Sequence, residues 1–104
     1  MDDSLLIGDF ARVPGSAADA ARFLSLLANE KRLLLLCHLQ ATGECDVTSL
    51  AAAVGLSASA LSQHLARLRA ENLVAFRRES QTIYYRLEDA RAVEVMRVLK
   101  GMFC

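Results

Sequence analysis

Between Ser49 and Leu87 the spacing of apolar side chains changes from a helical period to a period of two. That change limits the folds open to this chain. Ser49 to Val54 reads as a short helix, opened by Asp46 or Thr48 and stopped by Gly55, which suits the left-handed backbone that ends helices. Ser57 caps the next helix, Ala58 to Asn72, where Leu61, Leu65 and Leu68 share a face at i, i+4 and i+7. Two helices joined by Gly55-Leu56-Ser57 form a helix-turn-helix, with Leu50, Val54 and Leu56 packing on Leu61 and Leu65. Leu73–Arg78 and Thr82–Leu87 are rich in β-branched and aromatic residues and read as strands turned at Glu79-Ser80-Gln81.

The flanking segments complete a mainly α architecture. Residues 1–16 hold Gly8, Pro14 and Gly15 with little periodicity and read as a flexible arm; 17–104 is the domain. Ala17 to Leu27 places Ala20, Phe23, Leu24 and Leu27 at helical spacing. Asn29 caps a second helix running to about Leu39, expected to bury Leu33, Leu36 and Cys37 or their neighbours. Ala41 to Cys45, with Gly43, is a turn, and Asp89 opens a last helix through Val93, Met96, Leu99 and Phe103. The expected fold is thus four helices, a hairpin wing and a C-terminal helix: a winged helix-turn-helix. At 104 residues this is one domain. A chain of that size buries roughly 60–70% of its unfolded surface, so a dimer interface would help it.

Composition removes several classes. No stretch nears the ~20 apolar residues of a membrane span. The longest apolar run, Leu33 to Cys37, lies between Arg32 and His38. The acidic Met1-Asp2-Asp3 start is unlike a secretory signal, so the expectation is a cytoplasmic protein with no membrane partner. No spacing typical of a Ser/His/Asp triad, paired carboxylates, a phosphate loop or a metal hydrolase is present; neither an enzyme nor a cofactor is expected. In such a compartment three cysteines point to buried thiols, metal ligands or redox chemistry rather than a disulfide framework.

Net charge is zero, 12 basic side chains against 12 acidic, but unevenly spread. Residues 1–20 carry four Asp against Arg12, a net of −3, and residues 57–86 carry five Arg against two Glu, a net of +3. The basic stretch suits a DNA surface or an ordinary solvated face. The polar face of the longer helix carries Ser57, Ser59, Ser62, Gln63 and Arg67. Hydroxyls at a helix N-terminus reach phosphates and base edges, Gln pairs with adenine, and Arg reaches phosphate or guanine. Arg77, Arg78 and Gln81 would lie along the backbone or in a minor groove. Double-stranded DNA is the expected partner; a protein-interaction module without DNA is the alternative.

Leu61-Ser62-Gln63-His64-Leu65, Asn29-Glu30-Lys31-Arg32-Leu33 and Tyr84-Tyr85-Arg86-Leu87 together resemble the ArsR/SmtB family of bacterial winged-helix repressors. The resemblance spans about residues 17–104. It implies a homodimer built from the first and last helices, a palindromic operator, and repression released by an inducer. His64 belongs to the family's core motif, as a structural hydrogen-bonder or phosphate contact.

The family divides by inducer. Its thiol-based metal sensors carry a Cys-Val-Cys-Asp-Leu pattern. Aligned on Val47 and Leu50, this chain has Asp46 and Thr48 at the two cysteine places, with Cys45 one residue out of register. The last helix, from Asp89 to Cys104, has no His, and Glu94 has no spaced partner, so no metal site is expected. A metal-responsive repressor is the alternative within the fold. Cys37 on the second helix and Cys104 at the end of the last resemble the persulfide-sensing subgroup of SqrR, BigR and HlyU, as do Gln81 to Tyr85. The resemblance implies a Cys37/Cys104 switch in which reactive sulfur species link the thiols and DNA is released. Apart from it, Cys37 also fits a buried small hydrophobe. Cys45, in the turn, is expected to be an incidental exposed thiol.

Overall fold

A computed structural model describes residues 15–104. The expected arm lies outside that range except for Gly15 and Ser16, and Ser16 already belongs to the first helix. The elements are α1 (Ser16–Leu27), α2 (Glu30–Thr42), β1 (Cys45–Asp46), α3 (Val47–Val54), α4 (Ala58–Ala70), β2 (Val74–Glu79), β3 (Thr82–Leu87) and α5 (Ala90–Phe103).

Local chemistry sets the boundaries. The Asn29 side chain accepts from Arg32 N at 3.0 Å, Asp46 from Ser49 N at 3.0 Å, Ser57 from Ala60 N at 3.2 Å and Asp89 from Arg91 N at 2.8 Å. Each cap satisfies an amide that a helix start leaves without a partner. Gly55 ends α3 at φ 69°, ψ 40°, a conformation that costs a residue with a Cβ. Asn72, at φ 61°, follows α4, and Leu73 N donates to Leu68 O across that turn.

The sheet is antiparallel, in the order β1-β3-β2. The hairpin turns over Ser80 and Gln81 alone, since Glu79 already pairs with Thr82, and Ser80 takes φ 57°. β1 corrects the sequence reading. Cys45 lies opposite Tyr85 in the register and is buried, not an exposed loop thiol.

One core joins all layers. Leu35, Leu36, Leu39, Leu50, Leu61, Leu68 and Leu73 have essentially no exposed surface. The Leu61/Leu65/Leu68 face lies inside as expected, with Leu50 and Val54 of α3. In α2, Leu36 is buried as expected, together with Leu35 and Leu39, while Leu33 and Cys37 lie at the edge of the core. A run of five apolar residues offers no polar contrast to fix its phase. In α5, Ala92 and Met96 are buried, whereas Val93 and Phe103 are exposed; in α1, Leu24 is exposed.

Leu61→Ala is expected to destabilise the domain by about 2–5 kcal/mol in chemical denaturation. Ser62→Ala, one residue on and exposed, should stay within about 0.5 kcal/mol.

Candidate DNA-binding face and dithiol cavity

The core stripe of α4 fixes which face of that helix meets solvent. Ser57, Ser59, Ser62, Gln63 and Arg67 are exposed, and His64 is half-buried. Ser57 is partly engaged: its Oγ caps Ala60 N and lies 3.4 Å from Ser59 Oγ. The face is polar, and the N-terminal turn of α4 points its free amides outward.

Arg69 braces the wing against α4. Its Nη1 donates to the Tyr85 hydroxyl at 2.9 Å, and its guanidinium stands 5.3 Å from the centroid of the Phe76 ring. Phe76 and Tyr85 face each other in the register, with ring centroids 5.6 Å apart. Sequence reasoning missed Arg69, since its partners emerge only when strand pairing sets β2 and β3 beside α4.

Arg77 differs from the expectation of a free phosphate contact. Its Nε and Nη2 donate to Glu44 at 2.8 and 2.7 Å, and its Nη1 donates to Glu79 at 2.8 Å. Its guanidinium lies 4.5 Å from the Tyr84 ring centroid. Two carboxylates therefore neutralise Arg77, and the bidentate pair ties the wing to the turn before β1. Hydrogen bonds donated by Arg77 hold the Glu44 carboxyl below its ordinary range, and acceptance by Glu44 and Glu79 holds the Arg77 guanidinium above its own. Arg78 and Gln81 are exposed, and among the described residues Arg78 makes no ion pair.

The second site lies between α2 and α5. Gln40 Nε2 donates to Val93 O at 3.1 Å, tying the end of α2 to the start of α5. Further along, the helices border an open cavity of about 490 Å³. Its walls are apolar, from Leu33 and Leu34 on α2 and Met96, Leu99 and Phe103 on α5. Glu30 and Lys100 supply its charged groups. Cys37 and Cys104 both line it, the first half-buried, the second exposed, and both are free thiols. Cys45 does not line this cavity; burial, then the Asp46 charge, pushes its thiol up, which disfavours the reactive thiolate. Among the described residues no group of three or more His, Cys, Asp or Glu could hold a metal. None of the described helices is long and apolar enough to cross a membrane.

Comparison with known proteins places this geometry in a family. Residues 29–75 match the model described as "Bacterial regulatory protein, arsR family". The nodulation protein NolR of Rhizobium meliloti is 50% identical over 84 residues, covering 81% of this chain and 68% of NolR. The solved HlyU structure from Vibrio cholerae superposes with a TM-score of 0.83 at 39% identity, covering 88% of this chain and 99% of that one. The transcriptional repressor BigR from Xylella fastidiosa superposes at 0.78 with 36% identity, covering 85% and 89%. The chain belongs to the ArsR family of winged-helix transcriptional regulators, which act on DNA.

Glu44 gives a direct test of the wing latch. Its depressed pKa means that the latch contributes fully above the ordinary carboxylate value and is lost as pH falls through the lower folded value. In Arg77→Gln, the Glu44 side-chain titration followed by NMR should move up toward the ordinary range; an unmoved titration would contradict the pairing.

Proposed function

We propose that the chain is a homodimeric repressor that leaves a palindromic operator when Cys37 and Cys104 react with persulfides or related reactive sulfur species. The observation that carries this reading is the single cavity bordered by both thiols, one from a core helix and one from the last helix. A direct disulfide needs Cα atoms within about 7 Å. A cavity of this volume leaves room for extra sulfur between the two helices.

The chemistry balances without a further oxidant. Each thiolate attacks the terminal sulfur of a persulfide, RSSH, taking that sulfur while the thiol RSH leaves. One protein persulfide anion then attacks the inner sulfur of the other, and HS⁻ departs. A trisulfide remains, linking α2 to α5. Apolar walls favour a small neutral or organic sulfur donor over a strongly hydrated ion.

Dimerisation is supported by apolar surface on the first and last helices: Leu24 on α1, with Val98, Met102 and Phe103 on α5, all exposed in the single chain. A bridge at Cys104 would then act beside the dimer seam. Because paired recognition helices meet half-sites about 34 Å apart, a small rotation there is enough to lose the operator. In the DNA-bound state, Ser59, Ser62, Gln63 and Arg67 read the groove and adjoining phosphates, Ser57 and His64 support the N-terminal turn, and Arg78 with Gln81 engages the backbone from the wing. Arg77 serves as the strut that holds the wing, not as a phosphate ligand.

Anisotropy with an operator duplex tests the reading. Cys37→Ser and Cys104→Ser should each bind DNA like the parent yet stay bound when persulfide is added. Release of either single variant would overturn the dithiol mechanism. Arg78→Ala should flatten the slope of log K against log salt by about 0.9, the value for one phosphate contact. Arg77→Ala should weaken binding with little change of slope; a full unit lost there would restore it as a phosphate ligand.

A further inference from the structure

The junction between α4 and the wing turns on one side chain, Arg69. It stands in the last turn of α4 and makes no ion pair among the described residues. Its Nη1 donates to the Tyr85 hydroxyl at 2.9 Å, and its guanidinium lies 5.3 Å from the Phe76 ring centroid. Two contacts made by one planar group fix a distance and an angle together. Tyr85 is buried, and a buried hydroxyl left without a partner is costly.

The strand order makes this contact a reference point for both helices of the helix-turn-helix. Tyr85 lies on the central strand, opposite Cys45 of β1 on one side and Phe76 of β2 on the other. The next residue of β1, Asp46, caps α3 by accepting from Ser49 N at 3.0 Å. Strand β3 therefore holds the start of α3 through β1 and the end of α4 through Arg69. Side chains two apart in a strand share one face. Arg78 thus lies on the face of β2 that carries Phe76, the ring that Arg69 covers. We infer that Arg69 is a positioning residue for DNA recognition: its joint contact with Tyr85 and Phe76 sets the wing relative to α4, so that Arg78 reaches a backbone phosphate while α4 lies in the groove. The inference rests on the reading of Arg78 as the wing's phosphate contact.

The test uses the full-length protein and a duplex that the parent selects from a random pool, with affinity read by anisotropy. Tyr85→Phe keeps every charge and the ring, and removes only the acceptor. It should weaken binding about two- to tenfold, the span of one hydrogen bond. Arg69→Lys should be weakened as well, because an ammonium cannot donate to Tyr85 and cover Phe76 as a planar fork does. Parental affinity in Tyr85→Phe would overturn the inference. So would parental affinity in Arg69→Lys beside a defect in Arg69→Gln, since the charge alone would then be acting on a phosphate. Arg78→Ala is made both in the parent and in Tyr85→Phe. Partial unfolding lowers affinity but leaves the fold-loss from Arg78→Ala unchanged, whereas a displaced wing shrinks it. The loss should therefore be smaller in Tyr85→Phe than in the parent. Equal losses in both backgrounds would overturn the brace alone. No loss in the parent would refute the phosphate contact beneath the inference and overturn both.

Discussion

Burial of α2 is the constraint on which the rest of this domain depends. Leu35, Leu36 and Leu39 have no exposed surface, and they share one core with α3, α4, β3 and α5. A helix held this way cannot shift alone, since close-packed interiors transmit displacement rather than absorb it. The same helix buries Arg32 in its first turn, sets Lys31 on the last turn of α3 and places Cys37 on the cavity against α5. The proposed thiol switch therefore sits on an element packed in one core with the helix-turn-helix. That arrangement gives the proposed sulfur chemistry a physical route to the proposed release of DNA.

The wing is held by a different interaction. Its apolar side rests on α4 through Arg69, Tyr85 and Phe76, and its charged side is latched by Arg77 to Glu44. A surface ion pair between flexible side chains contributes little by itself. This one is bidentate, shares a third carboxylate oxygen from Glu79 and stacks on Tyr84, so its geometry is defined from three directions. It works as a positional device, with Arg78 and Gln81 left exposed on the wing.

Much of this was legible in the sequence where the determinants are local. Asn29, Ser57 and Asp89 cap the helices they were expected to cap, and the 61/65/68 stripe fixes the face of α4. The Ser57 to Arg67 face follows from that stripe. The misses lie where partners are distant in sequence. β1 has two residues and exists only because β3 offers an edge some 39 positions later, so Cys45 read as a loop thiol. The Glu44–Arg77 latch spans 33 positions, and no local pattern announces it. The phase of α2 was hidden by its unbroken apolar run. Arg32 stands in a helix start, and only packing shows it enclosed. Cys37 and Cys104 were paired on family resemblance; folding brings both to one cavity, which neither spacing nor composition could provide.

The most direct test of the central claim is peptide mass spectrometry on reduced protein treated with a persulfide, beside peroxide and disulfide controls. The account predicts a Cys37–Cys104 crosslink that carries added sulfur, formed with the persulfide alone, with Cys45 left as a free thiol. Unlinked Cys37 and Cys104, or equal modification of all three cysteines by every oxidant, would contradict it.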